Sequence, residues 1–130
     1  MKKDSLELLN FIAQIIFDKK GTNILALDVR GLSTITDYIL IAEGGVDRHV
    51  TAIAKTVEDE LRKIGERPAY VEGMQNGDWI VLDYHQVMVH LFIPGLRERY
   101  QLEQLWTEAK IVDLNIIVAP EKSGVYNTRT

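Results

Sequence analysis

The chain has 130 residues, no cysteine and a formal net charge of −4 at pH 7. This length fits one domain with its own core, and the lack of cysteine excludes disulfides, thiolate metal sites and a cysteine nucleophile. The negative charge disfavours a protein that binds mainly RNA phosphate, because such proteins cluster Lys and Arg. No uninterrupted apolar stretch indicates a signal peptide or a membrane span, so we expect a cytoplasmic protein.

The first predicted element is a helix over residues 5–19. Asp4 and Glu7 have the spacing of a capping box, and Gly21 is a natural stop. Apolar residues occupy two stripes of this helix and leave only a narrow polar face, made by Glu7, Asn10, Gln14 and Asp18. We therefore expect the helix to be covered over most of its circumference, either in the core of a monomer or in a homodimer.

Two short apolar runs, residues 24–29 and 38–42, predict largely buried strands. The period changes at Asp47, from which apolar residues recur at helical spacing until Gly65 ends the pattern. Because the turn Gly44-Gly45 lies between the second strand and this helix, the three together form a β-α unit. An anion could bind at that turn, but a tight turn needs glycines anyway, so phosphate binding is the less favoured interpretation.

Three further strands are predicted at residues 70–71, 79–83 and 87–93, and the last two are close enough to form a hairpin. A helix over residues 96–109 and a strand over 110–119 follow. The pattern predicts the α/β class, with a single domain over residues 1–119 whose mixed β-sheet is flanked by helices. The composition turns polar from Pro120, and residues 120–130 are expected to form a flexible C-terminal tail.

The predicted strand at 79–83 gives the clearest candidate for a binding surface. If Ile80 and Leu82 face the core, the residues that alternate with them face the other way. That second face carries Trp79, Val81 and Asp83 and, on the paired strand, Met88, His90 and Phe92. Such an exposed aromatic patch is typical of an interface anchor. The alternative is that helices cover both faces of the sheet, and the sequence favours the two about equally.

For the other polar residues, the sequence favours structural roles over metal binding or catalysis. His85 and His90 lack the usual spacing of metal ligands, so we interpret His90 as a hydrogen-bonded structural histidine and predict no metal site. Asp28 and Asp37 flank strands and are expected to cap turns or to pair with an arginine, Arg30 or Arg48. No serine is arranged with a histidine in a nucleophile motif, so no catalytic residue is predicted.

Several blocks in this order resemble the Iojap family, whose bacterial members are ribosomal silencing factors. They are Thr36-Asp37-Tyr38, Arg48-His49-Val50-Thr51-Ala52-Ile53-Ala54, Trp79-Ile80-Val81-Leu82-Asp83-Tyr84 and Leu102-Glu103-Gln104-Leu105-Trp106. Arg97 and Tyr100 add a match to the family's pattern Arg-x-x-Tyr-x-Leu-Glu-x-Leu-Trp. The resemblance spans residues 24–109, which is more than half of the chain.

The Iojap fold is similar to that of nucleotidyltransferases, so the resemblance raises the alternative of Mg²⁺-dependent nucleotidyl transfer. Such enzymes carry paired acids on a strand about a dozen residues after a Gly-Gly or Gly-Ser pair. At that distance this chain has Glu58, Asp59 and Glu60, inside a helical pattern in which consecutive acids splay around the axis. We therefore expect a nucleotidyltransferase-like fold without the catalytic acids, no cofactor and no enzymatic activity.

The resemblance implies a protein that binds large-subunit ribosomal protein fourteen, sterically blocks association of the ribosomal subunits and represses translation under nutrient limitation. Family members are commonly homodimers, so a second copy of the chain is the other expected partner. A small RNA-binding module is a further alternative, which the acidic charge disfavours. The expected partner-binding residues are Trp79, Val81, Asp83, Tyr84, His90, Phe92, Arg97 and Tyr100. Family-motif residues with a structural or binding role are Asp37, Tyr38, Arg48, His49, Glu103 and Trp106.

Overall fold

The computed structural model describes residues 4–100 and 107–118, except for the side chains of residues 98–100. The helices are α1 (Ser5–Asp18), α2 (Asp47–Lys63) and α3 (Pro94–Tyr100). The strands are β1 (Thr22–Asp28), β2 (Tyr38–Glu43), β3 (Tyr70–Glu72), β4 (Trp79–Asp83), β5 (Val87–Phe92) and β6 (Lys110–Ile111). These strands form one sheet in the order β3-β4-β5-β2-β1-β6.

β2 lies at the centre of the sheet, and all six of its residues are buried. It pairs in parallel with β5 and antiparallel with β1. Its continuous apolar run follows from this position, because a strand covered on both faces has no solvent side for polar residues. Since parallel strands need a crossover connection, the chain passes through α2 and the antiparallel pair β3–β4 before it returns as β5. The predicted mixed sheet is confirmed.

The two faces of the sheet differ in size and in the helices that cover them. On the α1–α2 face, both helices pack over a large core that includes Leu40, Ile80 and Leu82. On the opposite face, which we call the α3 face, a smaller cluster contains Ile41 and Phe92, with Leu96 of α3 packed against it. No helix of the described residues is long and apolar enough to cross a membrane.

The two long helices end in the same hydrogen-bonded turn but with different residues at its left-handed position. The predicted capping box begins α1, where Asp4 accepts from the Glu7 amide and Glu7 accepts from the Asp4 amide. At its end, the amides of Lys20 and Gly21 donate to the carbonyls of Phe17 and Ile16, in a Schellman motif. Lys20 occupies the left-handed position, with a φ of 69°.

In α2, the amides of Gly65 and Glu66 make the equivalent two bonds, to the carbonyls of Arg62 and Leu61. Here the left-handed residue is Gly65, with a φ of 83°. Glycine adopts this conformation without the steric cost that a Cβ atom brings. The end of α2 is therefore unstrained, whereas the end of α1 keeps a strained lysine.

The C-terminal part of the chain departs from the predicted elements. α3 begins at Pro94, and residues 107–109 form a turn and a bend, so the predicted helix does not reach residue 109. The predicted strand 110–119 is confirmed only for Lys110–Ile111. Residues 112–118 instead run along α1, where side chains of that helix bond to their backbone. Residues 101–106 and 119–130, with the expected tail at 120–130, lie outside the described residues.

The strained end of α1 yields a stability prediction. Lys20→Gly should be more stable than Lys20→Ala by about 1 kcal/mol, because a left-handed residue with a Cβ atom costs about 1–2 kcal/mol. The alanine variant removes the lysine charge but keeps the strain, so it is the matched control. Urea unfolding measures the difference, and equal stability of the two variants would contradict the strain. In α2, Gly65→Ala should lower the free energy of unfolding for the same reason.

Candidate functional site

The β4–β5 hairpin places alternate side chains on the α3 face, as the sequence predicts. The register pairs Trp79 with Phe92, Val81 with His90 and Asp83 with Met88. Directly opposed residues of an antiparallel pair share one face. Ile80 and Leu82 point the other way and are fully buried on the α1–α2 face.

The edge strand β3 extends this row of side chains toward solvent. Tyr70 lies opposite Asp83, and Glu72 lies opposite Val81. Both β3 residues are exposed, and the Tyr70 hydroxyl donates to Glu72 at 2.6 Å. Together with the half-buried side chains beside them they form a contiguous surface, which we call the β3–β5 surface: Tyr70, Glu72, Trp79, Val81, Asp83 and Met88.

A cleft of about 360 Å³ opens beside Trp79, at the boundary between the β3–β5 surface and α3. Its walls include Glu72, Asp78, Trp79, Val81 and Leu96. Two carboxylates beside an indole ring suit a positively charged side chain, because the cation gains from both the acids and the aromatic face. The chemistry of the cleft therefore fits a basic partner.

Four of the expected partner-binding residues are buried, so the aromatic patch is exposed only in part, and the alternative that this face is covered holds for His90 and Phe92. Tyr84 is 3% exposed because it continues the alternation of Ile80 and Leu82 onto the α1–α2 face. Phe92 is fully buried beneath Trp79, and His90 and Arg97 are each 8% exposed. Of these four, Phe92 and His90 support Trp79 from inside the protein. The side chain of Tyr100 lies outside the described part of the chain.

Burial also determines the protonation state of Tyr84. Its hydroxyl has no hydrogen-bond partner among the described residues. Burial raises the pKa of this phenol well above its ordinary value, and nearby Glu58 raises it further. Tyr84 therefore stays neutral and acts as a packing residue between the hairpin and α2.

Three rings pack together from the β3–β5 surface inward: Trp79 at the surface, with Phe92 and His90 beneath it. Trp79 stacks on Phe92 with ring centroids 5.0 Å apart, and its indole N–H donates to His90 Nδ1 at 3.2 Å. Because Nδ1 accepts this bond, the neutral His90 ring carries its proton on Nε2. Burial lowers the pKa of His90 to about 4. The stack fixes the orientation of Trp79, and His90 is a hydrogen-bonded structural histidine, as predicted.

A buried ion pair attaches α3 to the end of β2. Arg97 donates to Glu43 at 3.0 Å and also to the backbone carbonyl of Asn23. Asn23 lies at an irregularity of β1 and has a left-handed φ of 50°. Its side-chain Nδ2 donates to the other oxygen of the Glu43 carboxylate at 3.0 Å. Since both charges are largely removed from water, each needs the other. Arg97 therefore anchors α3 to the end of β2.

The family-motif residues of β2 and α2 lie at opposite ends of β2. Asp37 accepts from the Ser5 hydroxyl at 2.6 Å, at the start of α1, and not from the expected arginines. Tyr38 is buried, with the Arg30 guanidinium 5.3 Å from its ring centroid. At the other end, Arg48 is exposed in the first turn of α2. Glu103 and Trp106 fall outside the described ranges.

His49 connects two helix ends. Its Nδ1 accepts from the Gly45 amide at 3.0 Å, so its Nε2 carries the proton and donates to the Lys19 carbonyl at 2.8 Å. Lys19 caps the end of α1, and Gly45 lies in the turn that leads into α2. His49 thus has a structural role that fits its place in the family motif.

The acids considered for nucleotidyl transfer do not converge. Asp59 pairs with Arg62 at 2.6 Å and Glu60 with Lys63 at 2.9 Å, both on the outside of α2. Asp28 pairs with Arg30 at 2.8 Å, as predicted, and this contact lowers the pKa of the Asp28 carboxyl. Within residues 4–100 and 107–118, no group of three His, Asp or Glu side chains could hold a metal ion.

Sequence reasoning missed several residues that this geometry needs. Glu43 and Asn23 are two of the three residues of the buried ion-pair cluster, and Tyr70 and Glu72 extend the surface. Alternation along the short strand β3 would have placed Tyr70 and Glu72 on the surface. No sequence signal indicates that Glu43, at the end of an apolar run, pairs with an arginine 54 residues away.

The fold and this surface define the class of protein. It is an α/β domain with a mixed sheet, and one face of that sheet carries half-exposed aromatic and acidic side chains. The family model described as "Ribosomal silencing factor during starvation" matches residues 2–130. The chain is 41% identical over 101 residues to ribosomal silencing factor RsfS of Haemophilus influenzae, covering 78% of this chain and 99% of that protein. It is 37% identical over 108 residues to RsfS of Bacillus subtilis, covering 83% and 92%.

A crystal structure of a protein from Chromobacterium violaceum is similar to this fold, with a TM-score of 0.79 and 30% identity over 81% of this chain and 88% of that one. The chain therefore belongs to the ribosomal silencing factor family. This confirms the family that the sequence motifs indicated.

The buried ion pair predicts a large loss of stability when one charge is removed. Arg97→Met should lower the free energy of unfolding by about 3–5 kcal/mol, because it leaves Glu43 buried without its partner. The double variant Glu43→Met, Arg97→Met should lose clearly less, since no charge is then stranded. Urea unfolding of the two variants measures this. A double variant as unstable as the single one would contradict the argument.

Burial of His90 predicts a pH-dependent stability. The unfolded imidazole titrates near 6.5 and the folded one near 4, so the unfolded chain binds more protons between these values. The free energy of unfolding should therefore fall as the pH drops from 6.5 to 4, by up to about 3 kcal/mol. His90→Gln, which keeps an acceptor for Trp79 but does not titrate, should show a shallower slope. Identical slopes in urea titrations would show that another group is responsible.

Proposed function

We propose that this protein binds the large ribosomal subunit through large-subunit ribosomal protein fourteen and prevents the small subunit from joining. Translation is thereby repressed when nutrients are limiting, in the cytoplasm. The observation that carries this proposal is membership in the ribosomal silencing factor family over nearly the whole chain. The family's description names silencing during starvation, and the resemblance of the motif blocks supplies the ribosomal protein as the contact.

The β3–β5 surface is the proposed contact on this protein. Its exposed and half-buried members combine aromatic, apolar and acidic side chains, the first two of which suit the centre of an interface. Glu72 and Asp78 place negative charge in the cleft beside Trp79, and Asp83 adds a third acid at the other end of β4, in a chain whose net charge is −4. Many ribosomal proteins are basic, and complementary charge speeds and orients association.

The mechanism is occupancy, without a chemical step. A bound domain that covers the joining surface excludes the small subunit as long as it stays in place. This requires an interface of ordinary size, about 1,200–2,000 Å² in total. The ring stack beneath the surface favours such binding, because Trp79 is already held in one orientation and loses little freedom when the partner arrives.

A charge-reversal pair tests the proposed surface. Glu72→Lys should weaken cosedimentation with isolated large subunits by roughly tenfold, which corresponds to about 1.4 kcal/mol. Asp59→Lys, on the outside of α2, makes the same charge change away from the surface. It breaks only an exposed ion pair with Arg62, which contributes little to stability. This control should bind like the unaltered protein and still prevent the formation of whole ribosomes.

The possible results of this experiment test the proposed function and the proposed binding surface independently. Failure of the unaltered protein to bind large subunits would overturn the proposed function. Binding that Glu72→Lys leaves unchanged would keep the function and discard the β3–β5 surface. Binding to free ribosomal RNA with a steep dependence on salt would instead favour the RNA-binding alternative.

A further inference from the structure

Three exposed cations lie together where α1 ends and α2 begins. Lys19 and Lys20 follow the last turn of α1, and Arg48 lies in the first turn of α2. The hydrogen bond from His49 Nε2 to the Lys19 carbonyl, 2.8 Å long, holds the two helix ends together. We call Lys19, Lys20 and Arg48 the basic patch.

The acids beside the basic patch do not pair with its cations. Asp18 accepts from the Gln14 side chain at 2.9 Å, and Asp47 accepts from the Arg48 backbone amide at 2.7 Å. In the described part of the chain, none of the three cations makes an ion pair. A chain with a net charge of −4 thus carries unpaired positive charge at one place, where a partner can reach it.

Two of these cations occupy positions that cost stability. Lys20 has the left-handed backbone that glycine would adopt without strain. Arg48 lies at the N-terminal end of α2, where the helix dipole disfavours positive charge. Residues that are locally unfavourable are typical of functional sites. Local structure therefore does not account for these two cations, and a binding role does.

The basic patch lies at the same end of the sheet as the cleft beside Trp79. In the register of the sheet, Trp79 lies opposite Phe92, which in turn lies opposite Glu43. Glu43 ends β2, and the turn after it leads into α2 and Arg48. The patch therefore lies near the Trp79 end of the β3–β5 surface.

The loop of residues 73–78 connects the two regions. Gly73 and Asp78 line the cleft. Between them, Gly77 packs so closely on the first turn of α2 that a Cβ atom there would lie 2.7 Å from the Asp47 carbonyl oxygen. A partner that covers the cleft is therefore separated from the basic patch by this loop alone.

Exposed and unpaired lysine and arginine side chains suit phosphate oxygens. Ammonium and guanidinium groups bind phosphate through charge-assisted hydrogen bonds, and each such contact with a nucleic acid releases counterions. A domain that docks on a ribosomal protein lies beside ribosomal RNA. The RNA repels an acidic domain unless the domain turns positive charge toward it. The basic patch supplies that charge.

We propose that the basic patch binds the phosphate backbone of ribosomal RNA next to the ribosomal protein that the β3–β5 surface contacts. The inference rests on the proposed function and adds to it a second contact of opposite charge. Phosphate contacts position a protein without reading sequence, so the patch orients the domain while the acidic cleft selects the protein. Three cations are too few for tight binding to free RNA, which distinguishes this contact from a module that binds RNA alone.

A double substitution tests the patch through the salt dependence of binding to isolated large subunits. Lys19→Gln with Arg48→Gln removes two cations of the patch. The matched control, Arg67→Gln with Lys110→Gln, removes two exposed cations beside the end of β4 and the start of β2, at the opposite end of the sheet. Circular dichroism checks that both variants fold.

Between about 50 and 200 mM KCl, the binding constants of the unaltered protein and of the control should fall roughly tenfold more than that of the patch variant, because each phosphate contact adds about 0.9 to the logarithmic salt slope. A second measurement identifies the partner as RNA. Because the chain has no cysteine, Fe(II)-EDTA can be attached at one introduced site. On Lys19→Cys it should cut large-subunit RNA more strongly than on Lys110→Cys.

Equal salt slopes for the patch variant and the control would overturn the RNA contact and leave the proposed function in place. A shallower slope for the patch variant, without stronger RNA cleavage from position 19, would assign the patch to an acidic protein and would also overturn the RNA contact. Failure of the unaltered protein to bind large subunits would overturn the proposed function and this contact with it.

Discussion

The burial of β2 on both faces is the constraint on which the rest of the structure depends. Its parallel pairing with β5 forces the crossover through α2, and its antiparallel pairing with β1 sets the position of α1. The strand ends at Glu43, a carboxylate that the sheet carries into the interior. A buried charge needs a partner, so Arg97 has to reach it, and this fixes where α3 lies. One apolar strand thus determines the position of elements on both faces.

The sequence predicts those features of the fold that depend on a local pattern, such as a helix cap or the alternation of side chains along a strand. The capping box of α1, the buried strands and the alternation that sends Trp79 and Val81 to one face are all local patterns. The same alternation buries Tyr84, because it follows Ile80 and Leu82 onto the α1–α2 face. The apolar composition of residues 110–119 predicts a strand, whereas only Lys110–Ile111 form one and residues 112–118 run along α1. Whether an extended segment bonds to a strand or to Asn10 and Gln14 depends on contacts more than 100 residues apart, which no local pattern encodes.

The proposed surface combines a rigid base with an adaptable rim. Trp79 is fixed from below by Phe92 and His90, whereas Tyr70 and Glu72 lie on a strand of three residues at the sheet edge. Binding anchors work best when their side chains are already ordered, and charged rims can adjust to the partner. The residues that the sequence suggested for contact thus divide into those that would touch a partner and those that hold them in place. Both kinds can appear in one motif block, and only burial separates them.

The two edge strands of the sheet, β3 and β6, are short, and this affects the tendency of the protein to aggregate. Exposed strand edges invite pairing between molecules, and proteins limit this by keeping edge strands short and charged. β3 has three residues, and β6 covers part of the seven-residue β1 with only two, one of which is Lys110. β6 therefore covers part of the edge of β1. A chain shortened before residue 110 would present β1 as an apolar template, and it should form amorphous or fibrillar aggregates under conditions in which the whole chain stays dispersed.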